Sequence, residues 1–214
     1  LAAFPAQRID ANQLQTQWLG RQLGYCVQPQ AVNWSAEQAV AHCDWKTSND
    51  EVPGFGFARG IFWLYLPLHF AAQSEEQWLV QLAYPILDEA EFFVFEQGRL
   101  VSTYHSSDPP RSGLLRYRHF LLPLPVASGD IDVLIRVDAN GSVQFPVAVW
   151  KEDAFISHEA RQLLLLGSAL GVMLAMMLYN YFIAVSSASR AYFRYAGMVF
   201  GMILVQFCVH GLGV

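Results

Sequence analysis

The residues best suited to ligand binding lie on the polar faces of short segments that alternate apolar and polar residues. In Ile61 to Phe70, Trp63 and Tyr65 oppose a stripe of Leu and Phe side chains. A flat ring can stack on the apolar face of a sugar, and a forked guanidinium can bond hydroxyl groups or a carboxylate. The candidate ligand-binding residues chosen in this way are Trp63, Tyr65, Arg116, Arg118, Arg136, Gln144 and Trp150.

A structural role is the alternative for these residues. The Trp and Tyr rings can instead cover a helix or the N-terminal segment, and the arginines can simply be exposed to water. Alternation along one strand does not show which strands are neighbours, so both interpretations stay open at this point.

A small acidic cluster offers oxygen ligands for a metal ion. Asp88, Glu89 and Glu91 stand close together at the entrance of a β-rich segment. Carboxylate oxygens are ligands that Ca²⁺ prefers, so a calcium site is one interpretation and a solvated acidic loop is the other. Apart from Ca²⁺, we expect no cofactor.

The sequence lacks the common catalytic motifs. It contains no Gly-x-Ser-x-Gly, no His-Glu-x-x-His, no paired-cysteine metal spacing and no phosphate loop. His42, Cys43 and Asp44 are adjacent, but neighbouring residues in a helix or turn point in different directions and cannot form a triad. We therefore expect that this chain is not an enzyme.

Three cysteines divide between two settings. Cys26 and Cys43 can form a disulfide in an oxidising compartment, although their spacing alone does not establish one. Cys208 lies within an apolar run, where we expect it to act as a small packing residue.

The segments between residues 61 and 150 predict a mainly β domain. Short β-rich runs recur there, separated by turn signals such as Gln97-Gly98 and Asn140-Gly141. Seven or more strands at such spacing predict an antiparallel β-sandwich of the jelly-roll type.

Two helices are expected to flank these strands. Ser35 and Gln38 fit a capping box, in which the serine oxygen accepts a backbone N–H and the glutamine reaches back. A second helix is expected to start near Glu152 or Asp153 and to continue into the apolar region that follows.

Two long apolar runs are predicted to span a membrane. Leu163 to Val185 and Tyr195 to Val214 contain no Asp, Glu, Lys or Arg. At about 1.5 Å per residue, helices of these lengths reach roughly 34 and roughly 30 Å, close to the thickness of the hydrocarbon core. A buried helical hairpin is the alternative, but the rest of the chain is too short to enclose both runs.

The segment between the spans indicates the orientation. It carries Arg190 and Arg194 and no acid, whereas Arg161 precedes the first span in company with Glu159. Cytoplasmic loops collect Lys and Arg, so the first 160 residues are expected to lie outside the cytoplasm.

Composition agrees with an exported domain joined to membrane spans. Hydrophobic residues make up 54% and charged residues 14% of the chain, which is ordinary once two spans are removed. The net charge of −5 and the absence of a Lys/Arg run argue against a nucleic-acid partner. Because the chain starts at Leu1 and stops within an apolar run, we expect it to be a piece of a longer polypeptide.

The predicted organisation follows the chain in six parts. These are an N-terminal segment (1–30), a β-sandwich sensor domain (31–152), a connecting helix (153–162), a first transmembrane helix (163–185), a cytoplasmic loop (186–194) and a second transmembrane helix (195–214).

Several runs of residues resemble a known receptor family. The matching segments are Phe55-Gly56-Phe57, Ile61-Phe62-Trp63-Leu64, Trp78-Leu79-Val80, Tyr84-Pro85-Ile86-Leu87-Asp88, Phe92-Phe93-Val94-Phe95, Arg118-His119-Phe120, Pro123-Leu124, Leu134-Ile135-Arg136-Val137, Phe145-Pro146-Val147 with Trp150, Leu178-Tyr179-Asn180 and Ala191-Tyr192. Over about residues 30 to 214 the chain is similar to the bacterial seven-transmembrane receptors with diverse intracellular signalling modules (7TMR-DISM). It resembles their type 2 extracellular domain and the first two helices of their membrane bundle.

The resemblance implies a function in signal transduction. It predicts a periplasmic ligand-sensing module, anchored in the bacterial inner membrane, that relays ligand binding to a histidine kinase or diguanylate cyclase effector outside this chain. From the polar strand faces we expect a carbohydrate-like small molecule or glycan as the ligand. The alternative is a membrane-tethered carbohydrate-binding or protein-interaction module with no signalling role.

Small residues in the spans bear on further partners. Gly167-x-x-x-Gly171 and Gly197-x-x-x-Gly201 allow close helix approach. Packing inside a bundle is one explanation, and a receptor homodimer or a partner receptor is the other. Membrane lipid is the remaining expected partner, because it would surround both spans.

Overall fold

The computed structural model describes residues 8–11, 18–29, 32–70, 77–83, 89–105, 120–124, 129–187 and 189–209. Two units follow one another along the chain, Leu1–Glu152 and Asp153–Val214, and each is described by itself.

Strands make up most of the first unit. In chain order they are β1 (Ile9–Asp10), β2 (Gly24–Val27), β3 (Lys46–Thr47), β4 (Gly54–Phe70), β5 (Trp78–Leu82), β6 (Glu89–Glu96), β7 (Arg99–His105), β8 (Phe120–Pro123), β9 (Gly129–Gln144) and β10 (Val147–Lys151), with helix α1 (Ala36–His42) between β2 and β3. The prediction of a mainly antiparallel β domain is confirmed, while the jelly-roll topology stays a prediction.

The described strands form a large and a small sheet. The large sheet has the order β3-β2-β4-β9-β6-β7, and β1 pairs with the end of β4. The small sheet has the order β10-β5-β8. All pairs are antiparallel except β1 with β4, which is parallel.

The main core collects the inward faces of both sheets, as the alternation in β4 predicts. In the second half of β4, one face is buried there through Phe62, Leu64, Leu66 and Leu68. The same cluster contains alternate residues of β9 and β6, and of β5 and β10 from the small sheet. Burying apolar surface at roughly 25 cal/mol per Å² makes this core the main favourable contribution to folding of the unit.

A second, smaller core lies on the opposite face of the large sheet, which we call the outer face. Ala36 and Ala39 of α1 are buried there together with Trp63, Phe95 and Leu134. Helix α1 therefore covers the middle of the outer face. The capping box is confirmed, because Ser35 Oγ accepts from Gln38 N while Gln38 Oε1 accepts from Ser35 N.

A disulfide joins the end of α1 to the sheet. Cys26 of β2 is bonded to Cys43, the C-cap of α1, with their Cα atoms 6.0 Å apart. This link holds both ends of the covering segment near β2.

The second unit contains α2 (Glu152–Ser187) and α3 (Arg190–Val209). Among the described residues, these are the helices long and apolar enough to cross a membrane, with mean hydropathy of 1.9 and 1.3 in their most apolar windows. Helix α2 begins before the first apolar run and ends after it, and α3 begins before the second run, so the two helices cover most of the predicted loop 186–194. Residues 210–214 of the second predicted span lie outside the described residues.

The two helices of this unit contact each other through aromatic rings near their connection. The rings of Tyr181 and Phe193 are 5.8 Å apart. Asn180 is buried and its amide donates to the Met176 carbonyl of its own helix at 2.8 Å. This hydrogen bond gives the Asn180 amide a partner within α2.

Candidate functional site

The antiparallel register lines up several predicted site residues across the outer face. Trp63 of β4 lies opposite Cys26 on one side and Arg136 of β9 on the other. Arg136 in turn faces Glu91 of β6, and Glu91 faces His105 of β7. Directly opposed residues share a face and lie about 4.5–5.5 Å apart at Cβ, so this row is continuous across the sheet.

Trp63 lies in the buried part of that row. Its side chain is 0% exposed, and its Nε1 donates to Gln28 Oε1 at 2.8 Å. Its ring centroid is 6.0 Å from that of Phe93, within the smaller core. The ring offers no open surface for stacking in this structure, which favours the structural alternative for this residue.

Arg136, Glu91 and His105 form the accessible end, which we call the ion-pair row. Arg136 Nη1 lies 3.4 Å from Glu91 Oε2, and His105 Nδ1 lies 3.5 Å from Glu91 Oε1. The side chains are 19%, 25% and 52% exposed respectively, so exposure rises toward the edge of the sheet. A guanidinium, a carboxylate and an imidazole in one line can both donate to and accept from ligand hydroxyl groups.

Tyr65 lies two residues after Trp63 on β4, on the same face. It is partly buried beside Trp45, and the two ring centroids are 5.5 Å apart. Burial, followed by the negative charge of Asp132 and a hydrogen bond with its carboxylate, raises the pKa of the Tyr65 hydroxyl above its ordinary value. Each of these effects disfavours the phenolate. Tyr65 therefore presents a neutral hydroxyl rather than a base.

An ion-pair cluster not identified from the sequence lies near Tyr65. Arg8 pairs with Asp130 at 3.2 Å and with Asp132 at 3.1 Å, while His69 Nδ1 lies 2.7 Å from Asp130. The register places His69 opposite Asp130 at the end of the β4–β9 pair. Strand pairing over a separation of 61 residues creates this cluster, so no local sequence motif could reveal it.

Trp150 belongs to the small sheet, apart from the ion-pair row. It is 5% exposed, and its Nε1 donates to Gln81 Oε1 at 2.8 Å. Gln81 is also buried, so the pair satisfies two polar groups inside the protein. Like Trp63, Trp150 is held by a buried amide.

The other predicted ligand-binding residues are dispersed. Gln144 is exposed at the end of β9, where it pairs with Gly54 at the start of β4. Arg116 and Arg118 lie outside the described residues. The structure therefore brings Trp63, Tyr65 and Arg136 together in the middle of the outer face, with Gln144 far from them at the end of β9 and Trp150 in the small sheet.

The predicted calcium ligands are only partly described. Asp88 and the side chain of Glu89 lie outside the described part, whereas Glu91 is engaged by Arg136 and His105. Among the described residues, no group of three or more His, Cys, Asp or Glu side chains is placed to hold a metal ion. The calcium site stays a prediction.

Comparison with family models covers both units. Residues 22–151 match the model described as 7TMR-DISM extracellular 2. Residues 162–214 match the model described as 7TM diverse intracellular signalling. No curated protein sequence matches the chain significantly.

Proposed function

The chain belongs to the 7TMR-DISM family of membrane receptors, and from this premise we propose that it senses a ligand outside the cell membrane and relays binding to the receptor's signalling part. Its N-terminal unit is the extracellular domain, and its helices belong to the membrane region. We assign the N-terminal unit to the periplasm and the helices to the inner membrane of a bacterium. In this proposal the chain itself performs no catalysis and binds no resident cofactor, and any kinase or diguanylate cyclase activity belongs to another part of the receptor.

The junction between strand β10 and helix α2 supports the relay. Strand β10 ends at Lys151 and α2 begins at Glu152, so no linker residue separates them. Five register pairs hold β10 against β5, from Val147 opposite Leu82 to Lys151 opposite Trp78. A shift of the small sheet would therefore act directly on the start of α2. Such a relay requires the ligand to prefer one of two arrangements of the protein.

The ion-pair row supports a hydroxyl-rich, carbohydrate-like ligand. Arg136 and Glu91 are partly exposed and His105 is half exposed, so a ligand at this edge can meet donors and acceptors together. A ligand that displaces one partner of a charge pair loses less interaction energy where water already screens the two charges. Carbohydrates offer many hydroxyl groups that can bond to such a mixed row.

A linker insertion tests the relay. We would insert Gly-Gly-Ser between Lys151 and Glu152, and attach a spin label at Ser168→Cys in a Cys208→Ala background in lipid nanodiscs. The probes are glucose, galactose, glucuronate and galacturonate. A binding probe should raise the thermal stability increasingly as its concentration exceeds the dissociation constant, and should change the label spectrum in the parent chain. With the insertion, the stability gain should persist and the spectral change should disappear.

The same insertion between Gln97 and Gly98 is the matched control. These residues form the turn between β6 and β7, where both have positive φ, and the turn is distant in sequence from α2. The control should keep the spectral response. A response that survives the insertion at Lys151 would contradict a direct relay through this junction.

A tethered interaction module without signalling is the second candidate. Strand β7 stands at the edge of the large sheet among the described strands, and Leu100 and Val101 on it are 42% and 52% exposed. Exposed apolar residues on an edge strand can bind a protein partner by strand addition. Ligand or protein binding with no label response in the parent chain would favour this candidate.

A further inference from the structure

Strands β4 and β9 extend beyond their neighbours in the large sheet. Strand β2 pairs with residues 62–65 of β4, and β6 pairs with residues 131–138 of β9. Beyond these pairs, in the part of the chain that the structure describes, residues 54–60 and 139–144 pair with each other. We call this projecting two-stranded part the ribbon.

The ribbon carries an aromatic ring almost wholly in water. Phe57 is 92% exposed, the highest fraction among the described large hydrophobic side chains. It stands opposite Ser142, and Arg59 stands opposite Asn140, so these four residues share a face. That face continues the outer face, because Ile61 and Trp63 follow on β4 at the same parity and pack in the smaller core.

Glycines recur along the ribbon. At Gly56, Gly60 and Gly141, an added Cβ would have no heavy atom of the described chain within 4 Å. Gly56 and Gly60 have φ of +65° and +145°, conformations that suit glycine. Because successive side chains of a strand point to opposite faces, these glycine positions belong to the face opposite Phe57. The open approach to the ring is shown by its own exposure of 92%.

The polar groups around Phe57 indicate the charge of that ligand. Arg59, Asn140 and Gln144 are exposed, and Gln144 follows on the same strand as Asn140. Among the described residues, Arg59 has no carboxylate partner, unlike Arg8 and Arg136. An exposed guanidinium favours a carboxylate, which it can bind through two parallel hydrogen bonds.

We propose that the ribbon binds a carboxylated sugar ring of the uronic acid class. Phe57 stacks on the apolar C–H face of the ring, and Arg59 pairs with its carboxylate. Asn140 and Gln144 supply amide donors and acceptors for its hydroxyl groups. This assignment rests on the carbohydrate-like ligand proposed above; it adds a negative charge and places the charged sugar ring on the ribbon, further along the same face than the ion-pair row.

Binding to the full chain in lipid nanodiscs tests this assignment, with digalacturonate and its neutral counterpart galactobiose as probes in calorimetric titrations. The parent chain should bind digalacturonate about tenfold or more tightly than galactobiose, since one charge-assisted contact is worth about that factor. Phe57→Ala should weaken both probes. Arg59→Gln should weaken digalacturonate alone and so remove the preference.

Two exposed residues elsewhere provide matched controls. Val101→Ala removes an exposed apolar side chain from β7, and Arg21→Gln removes an exposed cation paired with Glu51 at 3.8 Å. Both should leave the two affinities unchanged.

The outcomes separate the site from the function. If digalacturonate binds and the Phe57 and Arg59 variants bind it equally well, the ribbon assignment is overturned while a carbohydrate sensor stands. Equal affinity for both probes would overturn the anionic class. If neither digalacturonate nor galactobiose binds, the ribbon assignment is overturned. The four-sugar panel with the spin label at residue 168 then tests the carbohydrate-like ligand separately.

Discussion

The indole nitrogen of Trp63 donates to the side-chain oxygen of Gln28 at 2.8 Å, and both residues are buried. Gln28 also donates through its Nε2 to the Val32 carbonyl, and its backbone N donates to Ile61 O at 2.9 Å. One glutamine thus fastens the segment before α1 to strand β4. This arrangement makes Trp63 part of the framework that supports the outer face.

Replacing Trp63 by Phe should therefore destabilise the β domain. The change leaves Gln28 Oε1 buried without its donor, at a cost of about 1–3 kcal/mol. Urea unfolding followed by circular dichroism measures the loss. Adding Gln28→Met to the variant removes the orphaned oxygen and should recover part of the stability. Unchanged stability of Trp63→Phe would show that the hydrogen bond is unimportant.

The disulfide between Cys26 and Cys43 should contribute strongly to stability. It closes a loop with a sequence separation of 17 residues, for which loop-closure entropy predicts about 3 kcal/mol. The double variant Cys26→Ser, Cys43→Ser should lower the free energy of unfolding by about that amount. Cys208→Ser, which changes the free cysteine in α3, serves as the control. Equal melting temperatures for parent and double variant would contradict this expectation.

Gly20 should tolerate no side chain, unlike Gly141. A Cβ at Gly20 would meet the Glu51 carbonyl oxygen and would stand 2.5 Å from Pro53 Cδ. Because the obstacles include backbone, Gly20→Ala should cost about 1–3 kcal/mol through forced displacement. Gly141→Ala meets open space and should change stability by less than about 1 kcal/mol. Similar losses for both variants in urea unfolding would argue against the tight contact at Gly20.

Tyr65 should make the domain sensitive to alkali. Its pKa is raised in the folded protein by burial and by Asp132, so folding favours the protonated hydroxyl. That stability is fully present below the unfolded-state pKa of about 10 and is lost as pH rises through the folded-state value. Tyr65→Phe should flatten the decline of unfolding free energy above about pH 10.

A carboxyl variant on strand β9, which carries Asp132, controls for the general effect of alkali. Asp138→Asn changes an acid of β9 that stands opposite Ile61 rather than beside Tyr65. Its unfolding free energy should decline above pH 10 with the slope of the parent chain. An equally steep decline for Tyr65→Phe would assign the alkaline loss to other groups.

The connection between α2 and α3 should lie on the cytoplasmic side. Arg190 and Arg194 follow Ser187 closely, and cytoplasmic loops are enriched in such cations. In a Cys208→Ser background, Ser187→Cys should resist a membrane-impermeant maleimide applied to intact cells. Val101→Cys, exposed on β7 of the extracellular domain, should react readily. Rapid labelling at position 187 would reverse the predicted orientation.

Local patterns were enough to predict much of the fold. The inward stripe of β4, the capping box at Ser35 and the helix beginning at Glu152 follow from periods and caps that span only a few residues. The candidate spans follow from length and hydropathy alone. The family also follows from runs of packing residues along the chain.

The site depended on contacts that no local pattern contains. The sequence by itself determined that Trp63 opposes the main core, but tertiary structure decided that α1 and Gln28 cover it. It likewise decided that Phe57, on the same face of the same strand, stays in water, because the described parts of the neighbouring strands β2 and β6 do not reach the ribbon. Alternation determines which face a side chain takes, whereas burial depends on which distant segment packs on that face, and only the folded chain sets that.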